Sequence, residues 1–451
     1  MAATEASPPV ATNKRIWGWY FFDWASQPYA TLILTFVFGP FINDLMGDGA
    51  EAQAAWGFGV GAAGIVIAVL APILGAFADT AGSRLRWIWT FSVFYVVGAS
   101  GLWLAAPDDF SLTLILILFA IGLVGAEFTA IFTNSLLPDL GPKEALGRIS
   151  GNGWAFGYLG GLAALVIMLL FFAENTETGR TLIGREPLFG LDPEAREGTR
   201  FVGPFTALWY LVFMIPFALY VRDPRPIRPP TGAVRNALRG LAGTIRRLPD
   251  RPSLFAFLGA SMFYRDALNG FFTFGGIYAA GVLGWSVTDV GIFGIIAIIT
   301  GALFSWLGGK ADSALGPKPV IVASILVLTA VAIAVLFTSP TRVIGVPVPE
   351  GSALPSVAFY ILGSLIGAAG GSIQSASRTM MVRQADPDRM TEAFGLYALS
   401  GKATAFLAPL AIGVATQISG SQQIGVVPLI VLFLLGLILL IWVRPDGDPV
   451  R

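Results

Sequence analysis

The sequence contains no cysteine and no histidine. Without thiols there is no disulfide, no thiolate metal ligand and no Cys nucleophile, and without imidazole there is no His relay or His metal site. Any proton chemistry falls to carboxylates. Charge is scarce as well: Asp, Glu, Lys and Arg make up 12% of the chain and hydrophobic residues 55%, against a charged share of ~25% in soluble domains. The only sizeable polar stretches are the N-terminal tail and residues 174–200 and 223–252, which leaves no room for an appended soluble domain. No Ser/His pair, metal cluster or nucleotide-binding loop is present. Residues 395–402 approach a phosphate loop, but Gly401 comes one residue too late and Ala403 stands where Ser or Thr is needed. Enzyme activity, ATP-driven transport within this chain, a cofactor, a metal and a nucleic-acid partner are therefore not expected.

What recurs instead is apolar sequence of membrane-spanning length, since a helix needs ~20 residues to cross ~30 Å of hydrocarbon. Twelve spans are predicted: 17–42, 54–78, 87–106, 110–136, 153–172 and 202–221, then 253–280, 287–308, 320–337, 356–377, 393–418 and 424–443. The fold class is an all-α membrane protein with two pseudo-symmetric six-helix bundles, 16–222 and 253–444. A disordered tail (1–15), a solvated central loop (223–252) and a short C-terminal tail (445–451) complete the division. With the N-terminus in the cytoplasm, Lys14, Arg15, Arg84, Arg86, Lys143, Arg148 and eight arginines between 222 and 251 share that side. Arg180, Arg185, Arg196, Arg200 and Arg342 face the other way. The positive-inside rule then puts both termini in the cytoplasm of a multi-pass protein in the plasma, or bacterial inner, membrane.

The second span ends in Gly75, Asp79, Gly82 and Arg84, and the eighth ends in Gly308, Asp312, Gly316 and Lys318. The two aspartates lie 233 positions apart, and the first and seventh spans start 236 apart, so loop and helix register agree on a duplication. Two-half repeats mark secondary transporters with a site between the halves. Gly75, Asp79, Gly82, Arg84 and Asp312 are read as gating residues: glycine lets helices approach, and the carboxylate meets a facing helix N-terminus or an arginine.

This loop resembles that of the major facilitator superfamily, in which Gly, three residues, Asp, two residues and Gly precede basic positions. The second copy has one extra residue before Gly316. Residues 23–38, Leu137-Pro-Asp139, 147–161, Arg265-Asp-Ala-Leu-Asn269, Gln374-Ser-Ala-Ser-Arg378 and Phe394-Gly-Leu-Tyr397 with Gly401-Lys402 are similar to its vacuole effluxer branch. The resemblance implies the major facilitator fold, alternating access, a cavity lined by helices 1, 4, 7 and 10, and a chain functional as a monomer. Fungal members of that branch are associated with amino-acid efflux.

Ionisable residues inside spans cost ~2.5–3.5 kcal/mol each at a helix centre, so they need partners or a wet cavity. Here they are Asp23, Glu127, Arg265, Asp266 and Lys402, with Arg378 at a span end. Tyr20, Asp23 and Gln27 follow i, i+3, i+7 spacing on one face, ending at Pro28. Asp23 is read either as a cavity residue that binds substrate or couples protons, or as a gate residue held by an arginine. Glu127 is read as a proton carrier or as half of a permanent ion pair with Arg265 or Lys402. Arg265 shares a stripe with Asn269 and Phe272 that suits a carboxylate-bearing substrate. Asp266, ~100° away around the helix, is expected to pair with Lys402 or to couple protons. Gln374 is the expected substrate contact on helix 10, and Arg378 the gate partner. Cargo of both charges, a small zwitterion such as an amino acid or short peptide, is the leading expectation. An amphiphile exporter and a non-transporting receptor are the alternatives.

Overall fold

A computed structural model describes residues 11–46, 49–81, 83–107, 110–176, 178–223, 233–283, 285 and 287–449. Gly82, the tail residues 1–10 and the loop residues 224–232, all of which enter the sequence reading, lie outside the described residues. The helices are α1 (Asn13–Met46), α2 (Gly49–Ala81), α3 (Arg84–Gly101), α4 (Leu112–Asn134), α5 (Lys143–Phe171) and α6 (Glu197–Tyr220). A second set follows: α7 (Pro252–Leu283), α8 (Val287–Leu315), α9 (Pro317–Leu336), α10 (Leu354–Gln384), α11 (Pro387–Ser419) and α12 (Ile424–Leu440). Among the described residues, ten helices are long and apolar enough to cross a membrane. The other two are the short α12 and α7, which carries Arg265 and Asp266 near its middle.

Each set packs within itself in matching pairs: α3 on α4 and α9 on α10, α2 on α4 and α8 on α10, α3 on α6 and α9 on α12. Between the sets, α2 runs along α11 and α5 along α8. Glycine is what lets them touch. A Cβ at Gly395 would sit 2.5 Å from the carbonyl oxygen of Ala71, and a Cβ at Gly151 would sit 2.6 Å from the Cα of Gly309. No side chain fits either crossing without pushing backbone apart.

Two predicted spans are not continuous helices. In α1, Pro28 withholds an N–H and the next turn widens into a π-helix over Tyr29–Phe36, the kind of distortion that collects at functional sites. In α11, helix stops at Ala403 and restarts at Leu407. Pro409 accounts for the stop, because in an unbroken helix its ring would collide with the carbonyl of Ala405.

The central loop departs from the expected solvated connector. Residues Ala233–Arg247 form a helix against α2, with Leu241 buried, and Arg246 and Arg247 close its C-terminal turn where cations suit the helix dipole. The apolar spacing Val234, Leu238, Leu241 carried that signal.

Arg84 opens α3 and is 1% exposed. It binds Asp139 after α4 at 2.5 Å and Asp223 after α6 at 2.8 Å, and donates to the Ser135 carbonyl at 2.8 Å. These partners follow α4 and α6, so Arg84 joins neighbouring helix ends on the first-half side.

Candidate functional site

The halves meet at the end of the spans that carries the chain termini. Asp79, near the end of α2, accepts the backbone N–H groups of Thr391 and Glu392 at 3.2 and 2.8 Å. Those groups open the helical part of α11, so the carboxylate caps a helix start across the half-to-half boundary. At the duplicate position Asp312 is 1% exposed and lies against Gly147 of α5, from which it receives no backbone N–H; its polar neighbours are the Thr379 hydroxyl and, at longer range, Arg383, both of its own half. Its neighbour Ser313 accepts the N–H of Arg148 at 2.8 Å, and Ser150 Oγ donates to the Ser375 carbonyl at 2.8 Å.

Deeper in, the intramembrane charges pair across the halves. Arg378 of α10 grips Asp23 of α1 with two hydrogen bonds, 3.0 and 3.1 Å, and both side chains are nearly buried. Trp19 and Trp154 flank the guanidinium at 5.0 and 5.1 Å, so the cation is held by a carboxylate and two aromatic faces. Asp23 is thus the arginine-held residue of the two readings. Lys402 of α11 pairs with Glu127 of α4 at 2.8 Å, and the two side chains remain 26% and 33% exposed. This pair borders open space and the Asp23 pair does not.

Lys402 does not pair with Asp266. The lysine, in the last turn before the break in α11, reaches Glu127 of α4, and Asp266 accepts instead the N–H of Ala408 just beyond the break, at 3.0 Å. Arg265 makes no ion pair among the described residues: it stacks on Tyr397 at 4.2 Å, donates to the Tyr397 carbonyl at 2.9 Å and lies against Gly401. It remains within electrostatic reach of Glu127. On the same stripe Asn269 and Phe272 are exposed. Tyr20 is buried and meets Asn152 at 3.4 Å, Gln27 lies against Gly161 at the α1–α5 contact, and Gln374 donates to the Tyr158 hydroxyl at 3.0 Å.

The sequence reading did not single out Asn152, Trp154 and Tyr158, which lie among the glycines of residues 151–161. Their polar and aromatic side chains at intervals of two and four were the available signal. Asn134 Oδ1, Asn152 Oδ1 and Trp154 Nε1 are buried without a hydrogen-bond partner, a concentration of unused polar groups on α4 and α5 where a buried group normally has one.

The family profile described as "Vacuole effluxer Atg22 like" matches residues 143–446. The chain belongs to this family. Over 437 residues it is 25% identical to an uncharacterized MFS-type transporter, YxiO, of Bacillus subtilis strain 168, covering 95% of this chain and 94% of that one. It is 27% identical over 290 residues to Autophagy-related protein 22 of Coccidioides immitis strain RS, covering 60% of this chain and 44% of that protein. The chain thus spans about half the length of its fungal relatives. Among solved structures, the fucose transporter FucP in its outward conformation superposes with a TM-score of 0.67 at 15% identity, covering 95% of this chain and 97% of that one. The proton:xylose symporter XylE gives 0.66 at 12%, covering 94% and 93%. These likenesses establish the major facilitator fold. This Atg22-like chain is a multi-pass membrane transporter of the major facilitator superfamily, and its site is to be read as one for a small-molecule substrate.

Proposed function

We propose that this Atg22-like transporter carries a small zwitterion, an amino acid or short peptide, outward by alternating access. The observation behind this reading is the Glu127–Lys402 pair, a carboxylate and an ammonium 2.8 Å apart, partly exposed and contributed by opposite halves. A substrate with its own ammonium and carboxylate can replace each partner in turn, so the charges stay compensated while the halves part. Arg265, Asn269 and Gln374 extend the polar surface beside the pair. Asp79, Asp312, Asp23 and Arg378 are read as the gate that closes the terminal end. With the termini cytoplasmic, as the distribution of Lys and Arg favours, that gate shuts the cytoplasmic side of a bacterial inner-membrane monomer and the site faces outward.

The test is thermal shift of the purified protein with free amino acids and dipeptides, and with the same compounds blocked at the amine or the carboxylate. Free zwitterions should raise Tm and blocked ones should not, and Glu127→Gln or Lys402→Gln should weaken the response at least tenfold. Equal responses to free and blocked compounds would refute the reading.

An amphiphilic cargo is the second reading, and one feature favours it. A 330 Å³ cavity in the second half is walled by apolar residues such as Phe271, Phe274, Phe359 and Leu429, at the small end of the ~300–1,000 Å³ range of ligand sites. Stabilisation by single-chain amphiphiles alone would select it.

A further inference from the structure

The 330 Å³ cavity lies wholly inside the second half. Its wall comes from α7, α9, α10, α11, α12 and the residues that join the last two, and it contains no Asp, Glu, Lys or Arg. Phe271, Phe274, Phe359 and Leu429 make it apolar. The lining residues of α7 come late in that helix and those of α10 and α12 come early, so the cavity occupies the part of the bundle away from the chain termini. Gln417 and Gln422 stand beside the α11–α12 connection, and both are exposed. Amides thus lie at the depth of the far headgroups, with aromatic rings beneath them.

One wall is incomplete. α11 restarts at Leu407 after its break, and a Cβ at Gly413 on this second piece would meet nothing within 4 Å. Val414 and Ile418 on the same piece are exposed. Protein interiors hold few voids larger than a water molecule, because the walls of a void forfeit their dispersion contacts. This cavity has about twice the ~150 Å³ of an engineered apolar cavity that stays dry and takes up benzene. Water finds few partners deep in it, since the Tyr278 phenol is already engaged by the carbonyls of Val335 and Thr338.

We propose that this cavity is the resident site of a single hydrocarbon chain, that of a lipid whose polar end rests on the amides of Gln417 and Gln422. Because one half supplies the whole wall, the site does not pass from one face of the membrane to the other as the halves rock. The chain stays while cargo moves, which goes beyond both cargo readings above. It completes the wall that the second piece of α11 leaves open.

Purified protein in digitonin, a detergent without an alkyl chain, is melted with 1-monoacylglycerols of increasing chain length. Their uncharged head makes no ionic claim on the Glu127–Lys402 pair. Binding read from the shift in Tm should tighten about tenfold for each two carbons added, then level off once the chain fills the cavity. A rise without a plateau is partition into the micelle and overturns the proposal, as does the absence of any shift. Val426→Phe places a ring in the cavity and should abolish the response; a full response in this variant overturns the site. If Val426→Phe does not fold, Leu429→Ala takes its place by enlarging the cavity: a plateau at longer chains supports the proposal, and an unmoved one overturns it. A chain response lost in Glu127→Gln would place the amphiphile between the halves as cargo and overturn a resident site. No zwitterion is present in this series, so the zwitterion reading can fail without touching this result, and the reverse holds too.

Discussion

Asp79 and Asp312 occupy matching places in the two halves, at the ends of α2 and α8, and their surroundings differ. Asp79 meets α11 at its helical start, where Thr391 and Glu392 have N–H groups to give. Asp312 meets α5 at Gly147, the fifth residue of a helix that begins at Lys143. The four free N–H groups of a helix start have been passed by then, so the carboxylate receives none from α5 and has only the Thr379 hydroxyl of its own half beside it. A displacement of one helical turn separates a capped contact from an uncapped one, so a duplicated motif need not hold the halves equally on both sides.

The largest effect should come from Asp79→Ala, which removes two hydrogen bonds to a charged acceptor, each worth ~1.5–3 kcal/mol. Because the chain has no cysteine of its own, Ser150→Cys with Ser375→Cys gives a disulfide that forms only when the terminal end is shut. Its rate of formation should fall more than tenfold in the Asp79→Ala background, and an unchanged rate would end the comparison. Next come the crossing glycines. A Cβ at Gly395 strikes the Ala71 carbonyl oxygen at 2.5 Å, and one at Gly147 strikes Asp312 Cβ and the Ser313 backbone nitrogen, both at 2.7 Å. Gly395→Ala and Gly147→Ala should therefore each cost ~1–3 kcal/mol by overpacking, as read from Tm; an unchanged Tm in either would show that its crossing can open without loss. Asp312→Asn should have the smallest effect, leaving Tm unchanged or slightly higher, since it removes a buried charge that no backbone N–H caps. A loss matching that of Asp79→Ala would reveal a partner for Asp312 in the opposite half and erase the difference.

Much of this architecture is legible in the sequence because hydrocarbon admits few solutions. Apolar runs of fixed length and a 233-residue repeat define helices and halves without any knowledge of contacts. Pairing of the buried charges is less legible. Helical spacing placed Arg265 and Asp266 on different stripes correctly, but the partner of Lys402 depends on how α11 packs against α4, and the Ala408 N–H is available to Asp266 only because α11 breaks before it. Asn152, Trp154 and Tyr158 were hidden for a related reason, since a glycine stripe and a polar face interleave on α5 and the glycines were the louder pattern. The central helix Ala233–Arg247 was masked by its charge, although its apolar spacing is helical.

Arg84 has a mechanical side. A single buried guanidinium clasps the residues just past α4 and α6 to the start of α3, so these ends cannot shear past one another without tearing several charged hydrogen bonds at once. The first half therefore responds to force as a stiff lever. Work done on it from the far side of the membrane arrives at the α2–α11 crossing as rotation, with little lost to sliding among its own helices.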